Sequence, residues 1–222
     1  MIPLRDSTPS NTFPLMTVIL IMVNLGVFLF EGSLGQEGMN QLFYLLGLVP
    51  ANYTGQQVPV LAFLPFFTSM FLHGSWMHLI GNMWILWLFG DNVEDRMGRG
   101  SFLLFYIFCG LIAALTHYYV NPNSTVPVVG ASGAVAGVMG AYFLMFKHAR
   151  VLTFIPPFFL LNIPALIYLG FWALSQLYSG TRGLLTSDLG QIAFWAHVGG
   201  FLAGMILYRF FLRNSVRREG YS

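Results

Sequence analysis

Five residues set in largely apolar runs carry groups able to do chemistry: Ser132, His197, His78, Asn82 and His73. Ser132 stands in Gly130-Ala-Ser-Gly133, at the head of an apolar run rich in small residues that lasts to Ala141. A serine there fits two roles. It can cap the helix that follows, since serine is a favoured N-cap, or it can act as a nucleophile if a base comes within about 3 Å. His197, on a separate run, is the candidate base. Acyl transfer also needs donors for the oxyanion of the tetrahedral intermediate. His78 and Asn82 are four residues apart, on one helix face, and carry side-chain N–H groups. The backbone N–H of Ser132, free because it starts a helix, is a third donor. His73 lies five residues before His78, about 140° round a helix from it. It reads as structural, a tie for the long first loop.

Composition says what must position them. Of 222 residues 56% are hydrophobic and 8% charged, where a soluble domain has about 25% charged. Such a chain cannot cover a water-facing surface and reads as an integral membrane protein. The net charge of +2 comes from scattered basic residues that build no face for nucleic acid. The single cysteine, Cys109, leaves no internal disulfide or Cys-based metal cage and reads as packing. Arg5 is the one basic residue ahead of the first apolar run. That run passes signal-peptide length without a small-residue cleavage site, so it reads as a retained span.

The expected fold is all-α, one membrane domain over residues 1–222 with six spans. They fall at about 13–30, 68–89, 102–119, 132–146, 162–178 and 191–212, with a membrane-associated loop over 31–67 and a tail over 213–222. Thr12 is the expected cap of the first span, with Pro14 in its first turn, and Asn162 with Pro164 opens the fifth. Asp91, Glu94, Asp95, Arg96 and Arg99 read as a short polar turn. Val151 to Leu161, interrupted by Pro156 and Pro157, fits no span. One side of these spans collects Arg5, Arg96, Arg99, Lys147, Arg150, Arg209, Arg213, Arg217 and Arg218; the other has Arg182. That bias puts both termini and the tail in the cytoplasm, and a bacterial plasma membrane is the expected location.

The polar groups share a depth. Ser132 lies fifteen residues from Lys147, roughly 22 Å along a helix, and His197 twelve from Arg209, roughly 18 Å. His78 and Asn82 lie thirteen and nine from Asp91, roughly 20 and 14 Å. In a hydrocarbon core about 30 Å thick, three helices thus deliver polar groups to one layer of the outer half. The helices are also built to meet. Gly133, Ala136, Gly137, Gly140 and Ala141 leave one helix with little bulk, and His197, Gly200 and Gly204 share a face of another. Small faces let membrane helices approach closely. No Asp or Glu falls in the outer half of a span; Asp188, Glu31 and Glu37 are the outward candidates, so the reading is a Ser/His dyad.

At this point the residues resemble a family, the rhomboid intramembrane serine proteases of the six-helix, bacterial type. The resemblance rests on His73-Gly-Ser-Trp-Met-His78-Leu-Ile-Gly-Asn82, on Gly90-Asp-Asn-Val-Glu94, on Gly130-Ala-Ser132-Gly133, and on Ala196-His197-Val-Gly-Gly200-Phe-Leu-Ala-Gly204. It implies Ser132 as nucleophile, His197 as general base, and His78 and Asn82 lining the oxyanion hole. It further implies cleavage of transmembrane protein substrates near the outer face of the lipid bilayer, through an acyl-enzyme, with no metal or other cofactor. Glu94 looks like the family's structural acid. Gly130, Gly133, Gly200, Gly204 and His73 are support positions. There are departures. The long first loop lacks a Trp-Arg pair that many members carry. Ala136 stands where some members stack an aromatic ring on the histidine, leaving Trp195 or a ring from the fifth span to hold His197. Gly81 is small where some members have a bulky gate residue.

Three other readings compete. A catalytically silent rhomboid-like adaptor would hold membrane helices without cutting them, but such relatives typically lack the serine or the histidine. A haem or metal protein would use His73, His78, His117 and His197, whose spacing suits shared ligation poorly. A transporter would need a pathway of charges through the inner half, and the spans offer none.

Overall fold

In the computed structural model, which describes residues 1–54, 59–186 and 193–213, the chain is mostly helical. Asp188, Arg217, Arg218, the start of the expected sixth span and most of the tail lie outside the described residues. In chain order the helices are α1 (Leu15–Ser33), α2 (Gly35–Leu46), the single turn α3 (Pro65–Thr68), α4 (Trp76–Met97), α5 (Arg99–Val120), α6 (Ser132–Met145), α7 (Ala165–Thr186) and α8 (Phe194–Phe211). Among the described residues α1, α5 and α8 are long and apolar enough to cross a membrane. The stretch from Val60 to Phe71 with α4 makes a fourth if the two, bent by 79°, are one broken span. Three spans, or four, are therefore evident by length and composition, fewer than the six expected; α6 is a shorter apolar helix.

The core forms around α6. Every residue from Gly133 to Tyr142 is buried, which its small side chains permit, because α4, α5, α7 and α8 pack around it. The buried stripe of α5, Phe102, Phe105, Tyr106, Cys109, Gly110, Ala113, Ala114 and His117, recurs every three or four residues and faces this centre.

Four local expectations change. First, the fold is not all-α. Strands β1 (Ile2–Asp6), β2 (Arg150–Ile155) and β3 (Phe159–Pro164) form an antiparallel sheet in the order β1-β2-β3. The run that fitted no span is a hairpin turned at Pro156 and Pro157, and Asn162 and Pro164 pair with Leu152 and Arg150 in it. The helix that follows accordingly starts at Ala165. Burial holds the carboxyl of Asp6, at the end of β1, above the usual carboxylate range although Tyr142 donates to it at 2.6 Å.

Second, Thr12 caps nothing; its hydroxyl donates to Asp95 at 2.6 Å. The N-terminal turn of α1 is closed by Glu94, whose carboxylate accepts from the N–H of Met16 (3.0 Å), the N–H of Thr17 (2.8 Å) and the Thr17 hydroxyl (2.9 Å). Third, the polar residues Asp91 to Arg96 are not a turn but the last turns of α4, which stops at Gly98, where φ is +83°. Fourth, His73 and the residues around it precede α4, whose cap is Ser75: its Oγ accepts the His78 N–H at 3.2 Å. The 140° helical offset between His73 and His78 therefore does not apply.

The first loop holds its place without a Trp-Arg pair. Tyr53 packs its ring on Phe63, Phe66 and Tyr118, Leu48 pairs with Val128 through the backbone, and the Thr68 hydroxyl donates to the Leu46 carbonyl. Helix α2 has no buried residue.

Candidate active site

Ser132 is the first residue of α6, and Ala131 occupies the cap position with no side-chain bond, so the serine hydroxyl is not spent on capping. His197 sits in the first turn of α8. The two side chains meet: His197 Nε2 lies 2.8 Å from Ser132 Oγ. Glycines bring them together. A Cβ on Gly200 would run into the Gly133 carbonyl, one on Gly204 into the Gly137 carbonyl, and one on Gly140 into the Phe201 carbonyl. The α6 and α8 backbones thus touch, and no branched residue fits the seam.

The other ring nitrogen, His197 Nδ1, lies 2.8 Å from Oε1 of Gln176 on α7. Trp172, one turn earlier on α7, places its ring 5.8 Å from the imidazole at 35°. Phe194 stands perpendicular at 6.4 Å. A ring of the fifth apolar run therefore covers His197; Trp195 does not, and its indole N–H is buried without a partner. Gln176 is a residue the sequence reading missed. Its signal was available, since a lone amide inside an apolar helix is expensive and calls for a partner.

Around Ser132 stand the donors. Gly130 has φ +128°, and a Cβ there would lie 2.6 Å from His78 Nε2 and 3.6 Å from Asn82 Nδ2. The missing side chain leaves the room that the His78 ring uses. Asn82 Nδ2 is 3.0 Å from His73 Nε2, and His73 Nδ1 is 3.4 Å from the Phe71 carbonyl. A carbonyl only accepts, so Nδ1 carries the His73 proton and Nε2 accepts from Asn82. One Asn82 N–H is thereby tied down and the other left over. His73 is fully buried, its ring edge-on to His78 at 5.1 Å, and its backbone N–H donates to the buried Glu31 carboxylate at 3.2 Å. Both His73 and Glu31 thus belong to the wall behind Asn82. His117 is buried on α5 with Nδ1 unpartnered and joins none of these groups by a hydrogen bond. Among the described residues no three His, Cys, Asp or Glu side chains gather as a metal site.

A hydroxyl bonded to an imidazole, with the side-chain N–H groups of a second helix beside Gly130, two residues away, is the equipment of nucleophilic acyl transfer. Comparison with known proteins agrees on the lineage: the model of the Rhomboid domain matches residues 61–214. The chain belongs to the rhomboid family. Its similar relatives include Rhomboid-like protein 11, chloroplastic, of Arabidopsis thaliana, 36% identical over 54% of this chain and 38% of that protein. Rhomboid protein 1, mitochondrial, of Saccharomyces cerevisiae is 28% identical over 68% and 42%. Presenilin-associated rhomboid-like protein A, mitochondrial, of Danio rerio is 29% identical over 64% and 36%. The chain spans about two fifths of the length of these curated relatives. Their names place the first in the chloroplast and the other two in the mitochondrion. The matched region takes in the Ser132–His197 pair, His78, Asn82 and Gln176 but excludes α1, α2 and β1.

Proposed function

We propose that this rhomboid is an intramembrane serine endopeptidase that cuts transmembrane proteins near the outer membrane face, using Ser132 and His197 and no metal or other cofactor. The observation that carries the reading is the 2.8 Å contact between Ser132 Oγ and His197 Nε2. In the first step Oγ bonds to the scissile carbonyl carbon, its proton passes to Nε2, and the carbonyl electron pair moves to oxygen. In this reading the oxyanion takes hydrogen bonds from the Ser132 N–H, the His78 ring and the second Asn82 N–H. Collapse breaks the C–N bond, His197 protonates the departing amine, and an acyl-enzyme remains on Ser132. Water then adds to the ester carbonyl as its proton passes to His197, the C–Oγ bond breaks, His197 returns the proton to Ser132 Oγ, and the new carboxyl end leaves.

The geometry also supports a six-span arrangement, with short α6 and amphipathic α7 completing the bundle around the site. The excess of Lys and Arg away from Ser132 puts both termini in the cytoplasm and the serine toward the opposite face. A substrate helix would approach between α4 and α7, past the exposed Gly81. A fluorophosphonate probe tests the nucleophile: with the protein in lipid, mass spectrometry should find the adduct on Ser132. An unmodified Ser132, at a probe dose that saturates a control serine hydrolase, rejects the mechanism.

A further inference from the structure

The imidazole of a Ser/His pair works as a base only if its free lone pair faces the serine, and something must choose which nitrogen holds the proton. An acidic third member does this in many serine hydrolases; no carboxylate contacts His197 among the described residues. Gln176 occupies that position, and its amide orientation is settled by its other contacts. Gln176 Nε2 lies 3.1 Å from Ser175 Oγ and 3.4 Å from the Trp172 carbonyl. The carbonyl can only accept, and the Ser175 hydroxyl donates to that same carbonyl at 2.6 Å. The amide nitrogen therefore belongs on this side, and Oε1 is the atom turned to His197. An acceptor facing Nδ1 requires Nδ1–H. Nε2 is then left with its lone pair, aimed at the Ser132 hydroxyl.

We infer that Gln176 is the positioning residue of this rhomboid, a neutral third member that fixes the His197 tautomer and ring plane from α7. When Nε2 takes the Ser132 proton, the Nδ1 proton stays where it is and the Gln176 carbonyl dipole faces the imidazolium. No proton moves to the amide. Trp172 lies on the same face of α7, four residues earlier, and closes the other side of the ring. Both supports come from one helix, so the competence of the base depends on α7 being seated against α8.

The inference rests on the proposed reaction, and two readouts separate their failures. The first is catalytic: purified wild type, Gln176→Met and Gln176→Glu in lipid, assayed on a transmembrane reporter. Methionine keeps the length of the side chain without a strong acceptor; glutamate keeps the acceptor. Gln176→Met should lower kcat by about 10- to 100-fold, the loss expected when a base is held about 1 Å out of place, with KM and Tm close to wild type. Gln176→Glu should recover most of the loss. Full kcat in Gln176→Met, or equal loss in both variants, overturns the assignment. The second readout needs no turnover: 15N spectra of histidine-labelled protein, with His197 assigned by its absence in His197→Gln. Wild-type His197 should be the pure Nδ1–H tautomer and Gln176→Met a mixture. A wild-type mixture, or no change on substitution, overturns the assignment even in an active enzyme. A pure tautomer in a protein that does not label at Ser132 would instead leave Gln176 in place and sink the protease reading.

Discussion

Gly200 lies so close to the Gly133 carbonyl that a Cβ has no room between them. This contact sits beside Ser132 on one helix and three residues past His197 on the other, so the spacing of the two backbones sets the spacing of the two side chains. The prediction is steep. Gly200→Ala should push α8 off α6, cost about 1–3 kcal/mol of stability as an overpacked seam does, and lower cleavage at least tenfold. Gly26→Ala, whose Cβ meets nothing within 4 Å, should leave both unchanged. Thermal unfolding in detergent and a reporter assay read the two effects; a Gly200→Ala protein of normal Tm and activity would mean the seam is softer than described.

Asn82 is held by His73, whose Nε2 accepts from its Nδ2 at 3.0 Å, so the proposed oxyanion role of Asn82 can be tested at both residues. Removing an oxyanion donor costs about 10²- to 10³-fold in kcat, so Asn82→Ala should lose roughly that much with little change in KM. His73→Ala keeps the donor but frees it to rotate, and should lose less. Kinetics of the two variants on one substrate rank them; a greater loss for His73→Ala would show that His73 does more than hold Asn82.

Glu94 joins α4 to α1 through three donors. Glu94→Gln keeps one acceptor oxygen but places an amide NH2 against donor groups in a buried site, at about 1–3 kcal/mol. Tm should fall accordingly. Activity per folded molecule should change less, because Glu94 touches neither Ser132 nor His197. An unchanged Tm would mean that water replaces the carboxylate there without cost.

Asp6 should make stability depend on pH. Its folded carboxyl titrates above its unfolded value because of burial, so the folded state holds the proton more tightly. The stability this supplies is fully present below the unfolded value of about 3.9 and is lost as pH rises through the folded one. Asp6→Asn removes the titration, so wild-type Tm relative to Asp6→Asn should fall as pH rises above about 4. A difference that stays flat with pH would assign the dependence elsewhere.

Much of this is legible in the residues, for a physical reason. A membrane helix built of Gly and Ala can only be central, and a second helix with glycines at His197+3 and His197+7 can only lie against it, so the meeting of α6 and α8 follows from bulk alone. Three features are hidden. The partner of Gln176 is one: the amide stands out in an apolar helix, but only folding sets it against His197, twenty-one residues on. His73 and Glu31 matter through a backbone N–H and a ring that join elements forty-two residues apart. The sheet is hidden because β3 is apolar but for Asn162 and reads as hydrocarbon, and because β1, which pairs with β2, lies at the far end of the sequence.

The central claim is that Ser132, aided by His197, cuts a peptide bond within the membrane. The most direct measurement is cleavage of a single-span reporter by purified protein in liposomes, wild type beside Ser132→Ala and His197→Ala, with the product ends sequenced. The account predicts one cut near the outer end of the reporter's span with wild type and none with either variant. Cleavage that persists in Ser132→Ala, or an inert wild type that still binds the reporter helix, would contradict it.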